Sequence, residues 1–287
     1  MKDKMAARAR DLLKTGKTVW SGPAYDGLSA RIACAAGFDI VSVGGFAASA
    51  TLGFPDVGLI TMTEALHSYQ AIVRSSSVPV MGDGDTGFGN AVNVMRTVRE
   101  FEDIGLVGIQ LEDQVSPKRC PLLGSSDLIS LEEAVGKIRA AAEARRNPDF
   151  IIKARTDATN IEEAIRRGKA FAEAGADVIY VITKGFRGID ELRELRRAVG
   201  IPIGFSILGW TDKISRSDID SIGGALVGFP FVHILTVAEA LKQNLTALKE
   251  GKACSDLPMP MMALKEFEVL IGYPQVVEAE RRFLPAS

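Results

Sequence analysis

Short apolar runs punctuate this chain at regular intervals, and amphipathic stretches fill the gaps between them. The runs lie at Thr18–Ser21, Ile40–Val43, Val78–Met81, 106–111, Phe150–Arg155, 177–181, Ile201–Ser206 and Ala225–Gly228. Three times the chain passes from a helix end through a glycine directly into such a run: Ala36-Gly37-Phe38-Asp39-Ile40-Val41, Ile104-Gly105-Leu106-Val107-Gly108-Ile109 and Ala174-Gly175-Ala176-Asp177-Val178-Ile179. Glycine at the residue after a helix and an apolar run at once beyond it mark serial β-α units with strands buried on both faces. The interval between the third and fourth runs is a helix by its spacing. Ala91, Val94, Met95, Val98 and Phe101 share one face, Asn90 stands where an N-cap belongs and Gly105 follows the end. Residues 3–15 and 28–36 read as further helices. Eight runs with no break in composition predict a single (β/α)₈ barrel, with a doubly wound sheet as the alternative.

In a barrel of parallel strands the chemistry gathers at the strands' C-terminal ends. Asp83 and Asp85 follow the third run, and Glu112 and Asp113 follow the fourth. Strands joined by a crossover helix point the same way, so these carboxylates converge. Clustered carboxylates are unfavourable unless they share protons or hold a cation, and a hard cation such as Mg²⁺ fits the oxygen donors. The plainer reading makes them helix caps or solvated loop residues. Gly82, Gly84 and Gly87 also spell GxGxxG between strand and helix, but Asp83 and Asp85 inside that loop would repel a pyrophosphate. Gly44 and Gly45 end the second run. Arg155 ends the fifth and is followed by Thr156-Asp157. It is either a structural ion-pair partner or a bidentate clamp for a substrate carboxylate. The Pro-, Gly- and Ser-rich stretch Val115–Leu128 breaks the rhythm and is long enough for a lid. It carries Lys118, Arg119 and Cys120 together: a thiol placed for acid-base or nucleophilic work, or an inert surface cysteine.

Composition narrows the setting. At 287 residues and 47% hydrophobic the chain is long enough for one large barrel, and a net charge of −2 gives no basic footprint for nucleic acid. Three cysteines, Cys34, Cys120 and Cys254, are too few and too odd for a disulfide framework, which points to a reducing compartment. The N-terminal stretch lacks the apolar region of a secretory signal. The longest uncharged run, Ile222–Ala238, is short for a membrane span and is interrupted by Gly228, Pro230 and His233. A cytoplasmic protein with no membrane partner is expected. His67 and His233 fall on helices as packing or surface residues. After Gly251 the chain departs from the barrel rhythm. Met261, Met262, Leu264, Phe267, Val269 and Leu270 make the tail too apolar to stay solvated. The expected organisation is a barrel over 1–250, with a gating loop at 115–128, and a helical extension over 251–287.

Six stretches together carry a family resemblance: GPAYDGLSARIA at 22–33, GGFAASATLGFPDVGLITM at 44–62, GDGDTGFGNAVNVMRTV at 82–98, LEDQVSPKRC at 111–120, ARTDA at 154–158 and EAGAD at 173–177. In these the chain resembles the isocitrate lyase and phosphoenolpyruvate mutase superfamily, nearest its methylisocitrate lyase-like branch. The resemblance implies a (β/α)₈ barrel, a C-terminal helix swapped between subunits and a dimer-of-dimers homotetramer. It also implies Mg²⁺, with Mn²⁺ as a substitute, and a small 2-hydroxy or 2-oxo carboxylate ligand. Asp83, Asp85 and Glu112 become the metal shell, in part through water. Gly44, Gly45 and Arg155 hold the carboxylate with Asp56 close by, and Lys118 and Cys120 sit on the gating loop, the cysteine as proton donor. The chain also departs from the pattern. Pro121 and Leu122 stand where a glycine and a histidine usually follow the cysteine. Val43 replaces a serine, Ile182 replaces a glutamate, and the asparagine of the seventh strand falls near Ser206. These losses remove groups that hold the far carboxylates of a tricarboxylate. They point to a smaller or more apolar diacid, such as a substituted malate. The activity implied is cleavage of a 2-hydroxy dicarboxylate to an α-keto acid and a second carboxylate. Decarboxylation or hydrolysis of oxaloacetate type, and phosphonopyruvate-type C–P chemistry, are the alternatives.

Overall fold

The computed structural model describes residues 2–121, 124 and 127–284. Its elements run α1 (Lys2–Lys14), β1 (Val19–Ala24), α2 (Gly27–Ala35), β2 (Ile40–Val43), α3 (Gly45–Thr51), α4 (Met62–Ser75), β3 (Val80–Asp83), α5 (Ala91–Ile104), β4 (Gly108–Glu112), α6 (Leu131–Ala144), β5 (Ile151–Thr156), α7 (Ile161–Glu173), β6 (Val178–Val181), α8 (Ile189–Val199), β7 (Ile203–Ser206), α9 (Arg216–Asp220), β8 (Ala225–Gly228), α10 (Val232–Lys249), α11 (Leu264–Ile271) and α12 (Tyr273–Phe283). The strands pair in parallel in sequence order, and β8 returns to β1 with Val19 opposite Leu226 and Ser21 opposite Gly228. The expected (β/α)₈ barrel is therefore closed, and the doubly wound sheet is excluded. The chain divides into two compact units, Met1–Pro230 and Phe231–Ser287. The barrel strands all lie in the first, and α10, α11 and α12 make up the helices of the second.

Period-two alternation sorts each strand's side chains between two clusters. On β5, Ile152 and Ala154 pack outward with Val98, Phe101, Phe171 and the rest of the helix-facing core. Ile151 points inward, joining Val19, Ile40, Met81, Val178 and Leu226 near the strand starts. Ala6 and Ala9 of α1 complete this inner cluster, so α1 plugs the N-terminal end of the barrel. Arg10 fastens the plug, donating from Nη1 to Asp177 at 2.9 Å and from Nη2 to the Phe150 carbonyl at 3.2 Å. The parity that points Ile151 inward also points Lys153 and Arg155 inward, and it does the same for Met81 and Asp83 on β3 and for Val178 and Tyr180 on β6. Above the apolar floor the barrel interior is therefore polar.

Strand limits differ from the sequence reading in an instructive way. The third strand was expected at Val78–Met81 and runs Val80–Asp83. Val78 is tied into a turn instead, its N–H donating to Ser76 Oγ at 3.2 Å and its carbonyl accepting from the same hydroxyl at 2.8 Å. Asp83 is thus part of the strand rather than the loop after it. The first strand continues past Ser21 through Gly22 and Pro23 to Ala24. Beyond Ser21 it pairs with β2 alone, an edge position where proline is tolerated. The helix of 91–104 is as read: Asn90 Oδ1 accepts from Val92 and Asn93 N–H, and Gly105 closes it in the left-handed conformation.

Gly108 opens β4 at a tight point of the wall. A Cβ there would stand 2.7 Å from the Ile151 carbonyl oxygen and 3.0 Å from Met81 Cε. Backbone cannot yield as a side-chain tip does, so we expect Gly108→Ala to destabilise the fold by about 1–3 kcal/mol. A fall in the urea midpoint at unchanged slope is the readout.

Candidate active site

The site is assembled at the C-terminal ends of β2 to β5. Glycine at position 45 is what opens it. A Cβ there would lie 2.6 Å from Asp85 Oδ1, 3.2 Å from Lys118 Nζ and 3.4 Å from Asp83 Oδ2. The bare backbone instead donates its N–H to Asp83 Oδ2 at 2.9 Å, and Gly44 precedes it as the helix-capping residue of α3. Asp83 Oδ1 also receives the Asp85 N–H at 3.1 Å and the Gln110 amide at 3.4 Å. Asp85 adopts φ +46°, which costs a non-glycine residue about 1–2 kcal/mol. Its neighbours hold it there: Gly84 N–H donates to the Gln110 carbonyl at 2.8 Å and Glu112 N–H to the Asp85 carbonyl at 2.9 Å. Strain of this kind persists where surrounding structure over-determines it.

Lys118 reaches into this cluster from the segment after β4. It is buried, its Nζ bonded to Asp56 and 3.0 Å from Asp85 Oδ1. Burial works to neutralise the amine, but Asp85, Glu112, Asp83 and Asp56 outweigh it and hold Lys118 above the usual lysine range. Burial pushes Asp85 up to about 6, against the pull of Lys118 and with the push of Asp83. Asp83 goes the other way: burial is overcome by Lys118, Arg155 and the Gly45 N–H, so its carboxyl lies below the usual range. Glu112 is fully enclosed and raised well above its usual range by burial, although Arg155 and Lys118 oppose this. Arg155 holds Asp157 bidentately, Nε to Oδ1 at 2.7 Å and Nη2 to Oδ2 at 2.9 Å, and its Nη1 lies 2.8 Å from Glu112 Oε2. This last contact has ion-pair distance without hydrogen-bond alignment, so both Glu112 oxygens, like Asp85 Oδ1, are buried without a hydrogen-bond partner. Arg155 is thus an ion-pair partner of both Asp157 and Glu112.

Asp83, Asp85, Glu112, Lys118, Asp56, Gly45 and Arg155 are brought together. Among the described residues no three His, Cys, Asp or Glu side chains stand close enough to hold a metal ion by themselves; Lys118 stands against Asp85 and Arg155 against Glu112. The residues still fit a hard cation completed by water. Three buried carboxylate oxygens lack donors, burial raises the carboxyls of Asp85 and Glu112, and Gly45 leaves the approach to Asp83 and Asp85 clear. Asp113 does not join them. It turns to Arg167, Nη1 to Oδ2 at 3.1 Å, and accepts the Asp157 N–H.

Ser206 lies apart from the carboxylates, its hydroxyl 2.5 Å from the Tyr180 phenol. Cys120 is buried, between Arg119, whose N–H donates to Gln114 Oε1 at 2.8 Å, and Pro121, whose carbonyl accepts from Lys184 Nζ. Among the described residues its thiol makes no hydrogen bond to the carboxylate cluster. Leu122, one of the two departures after the cysteine, lies outside the described residues. An antiparallel bridge between Gln114 and Leu128 closes the base of this segment. The sequence reading overlooked Gln114, whose amide donates to Asp157 Oδ2 at 2.5 Å, and Lys153, whose Nζ lies 4.7 Å from the centre of the Tyr180 ring. Burial lowers Lys153 to about 8, partly offset by Asp83 and reinforced by Arg155. A lysine amid Ile151-Ile152-Lys153-Ala154, in phase with Arg155, was the signal available for it.

Comparison with known proteins now decides the family. The phosphoenolpyruvate phosphomutase profile matches residues 9–249. The chain belongs to the phosphoenolpyruvate phosphomutase family. A 2,3-dimethylmalate lyase of Eubacterium barkeri is 41% identical over 97% of this chain and 98% of its own. A 2-methylisocitrate lyase of Aeropyrum pernix is 37% identical, covering 92% of this chain and 86% of its own. Among solved structures, a phosphonopyruvate hydrolase in complex with oxalate and Mg²⁺ superposes with a TM-score of 0.86 at 29% identity, over 98% of this chain and 99% of that one. The resemblance read from the six motifs is thereby borne out.

Proposed function

We propose that this family member is a divalent-metal-dependent carbon–carbon lyase. Its substrate is a 2-hydroxy dicarboxylate of substituted-malate type, cleaved to an α-keto acid and a second carboxylate. The observation that carries this reading is the buried carboxylate cluster beside Lys118 and Arg155, with its unpartnered oxygens on Asp85 and Glu112. The similarity to a 2,3-dimethylmalate lyase along the whole chain supports the substrate class. Ile182 supports it too, an apolar side chain being unable to hold the extra carboxylate of a tricarboxylate.

Asp83, Asp85 and Glu112 would hold Mg²⁺, or Mn²⁺ in its place, in part through water. The cation would supply positive charge where negative charge develops on the oxygens of the 2-hydroxy or 2-oxo carboxylate. The Gly44–Gly45 turn and the Arg155 guanidinium would orient that carboxylate, Asp56 holds Lys118 over Asp85, and Ser206 with Tyr180 would meet the substrate's far end. As the C2–C3 bond breaks, a base takes the 2-hydroxyl proton and C2 becomes the keto carbon. The electron pair stays on C3, and Cys120 delivers a proton there from the segment 115–128 to give the second carboxylate. The protein works in the cytoplasm, in keeping with its free cysteines. Among the described residues no helix is long and apolar enough to cross a membrane.

The second unit presents Val232, Leu235, Leu241, Leu245, Met261, Leu264, Val269 and Phe283 exposed. An apolar surface of this extent marks an interaction site. The occupant proposed is a second copy, through a swapped C-terminal helix, in a dimer-of-dimers tetramer.

Three outcomes are expected. Exhaustive chelation abolishes turnover of a substituted malate and Mg²⁺ or Mn²⁺ restores it; full activity of the chelated protein would remove the metal from the mechanism. Sedimentation gives a species well above the mass of one chain, and a compact monomer contradicts the assembly. Cys120→Ser lowers kcat for carbon–carbon cleavage by about 10²–10⁴ while substrate binding holds. A loss under about threefold rejects the thiol as the acid and moves the assignment to decarboxylation, where water can protonate the product.

A further inference from the structure

Lys153 has no place in the chemistry described so far, yet its position is costly. It is a lysine inside a closed barrel, 6% exposed, directly below Arg155 on the same face of β5. Interior lysines are almost always paired with a carboxylate. Among the described residues none stands within ion-pair distance of this one, and its ammonium lies over the face of the Tyr180 ring. Its strongest attractive neighbour is Asp83, and it repels Arg155. Lys153 therefore looks into the floor of the carboxylate site without neutralising any one member.

The charge of the site gives this position meaning. With a cation in place to let Asp85 and Glu112 ionise, Asp56, Asp83, Asp85, Glu112 and Asp157 contribute five negative charges, and Lys118 and Arg155 contribute two positive ones. Asp113 and Arg167 form a separate pair. Without Lys153 the site would carry three net negative charges; with it, two. One divalent cation then brings the enclosed site to neutrality. A site of three negative charges would hold the cation more tightly but would still repel a dicarboxylate.

We propose that Lys153 sets the charge of the site, weakening its hold on the divalent cation in exchange for admitting a dianionic ligand. The inference rests on the reading that the carboxylates hold a divalent cation, and it concerns binding rather than turnover. Lys153 touches no reacting atom in this scheme; it acts through the field it places on Asp83 and on the incoming carboxylates. Ring contact with Tyr180 keeps the ammonium in place without cancelling its charge.

Removing it should move two affinities in opposite directions, which loss of structure cannot do. Purified full-length protein, stripped of metal, is titrated with Mn²⁺ by calorimetry or electron paramagnetic resonance. The Mn²⁺-loaded protein is then titrated with oxalate, a minimal dianion. A single charge at this range changes the binding of a proton by about ten- to a thousandfold. Lys153→Met should therefore bind Mn²⁺ about tenfold or more tightly and oxalate about tenfold or more weakly than the wild type. Lys153→Gln guards against a packing defect particular to methionine, and Lys153→Arg, which keeps the charge, should restore both values. Both affinities weakened together in the neutral variants, or both unchanged, overturns the assignment. Wild-type protein that fails to bind Mn²⁺ at all overturns the metal reading itself and this inference with it, whereas normal Mn²⁺ and oxalate binding with no lyase activity overturns only the choice of reaction.

Discussion

Charge placed inside a closed barrel has almost no water to answer it, and that constraint governs the architecture described above. Each ionised group in the interior must find an opposite charge or a hydrogen bond, or give up its ionisation. Lys118 answers Asp56 and Asp85; Arg155 answers Asp157 and Glu112. All but the Arg155–Asp157 pair cross between elements distant in sequence, from the second, third, fourth and fifth β-α units. They are therefore also what fixes the strand ends relative to each other. Such buried pairs are weak evidence for stability, since desolvation consumes much of the attraction. Their value here lies in orientation and in holding a potential within the cavity.

The apolar parts of the molecule make that arrangement possible. Helices seal the barrel wall from outside, and α1 seals its floor with Ala6 and Ala9 against the first residues of the strands. The result is a vessel open at one end, lined above its floor by Ser21, Asp83, Gln110, Lys153, Tyr180 and Ser206. Small polar contacts such as Ser21 Oγ to Ser42 Oγ at 2.6 Å occupy the wall away from the carboxylates. The polarity of the lining is a direct outcome of strand parity: once Ile151 faces inward, Lys153 and Arg155 have no other direction to face.

Much of this was legible in the chain. The glycine-to-strand transitions at Gly37, Gly105 and Gly175 carried the β-α rhythm, and the acidic residues at the ends of two adjacent strands located the site. Arg155 was visible as a charge ending an apolar run. Other features could not be read locally. The turn at Ser76 and Val78 shifts β3 by two residues and depends on a side-chain hydroxyl. The attachment of Lys118 to Asp56 joins loops far apart in sequence, and nothing in KRC alone states which way the lysine turns. Whether Asp113 or Glu112 faces the cavity is a matter of parity, settled only when the strand's limits are known. Lys153 was legible in principle and overlooked in practice, because an isolated lysine in a run of isoleucines reads as an interruption rather than as a lining residue.

The amide of Gln114 carries a further consequence for how this chain can vary in length. Its oxygen is committed to the Arg119 N–H and its nitrogen to Asp157, the residue that grips Arg155. An amide is directional, so no glutamate and no reversed glutamine can serve both partners. The span from 114 to 119 is therefore a ruler of fixed length, and Lys118 is marked on it one residue before the end. An insertion or deletion inside that span would carry the ammonium away from Asp56 and Asp85 even with every residue of the site unchanged. For anyone aligning or grafting this segment, spacing there is as much a part of the site as the side chains are.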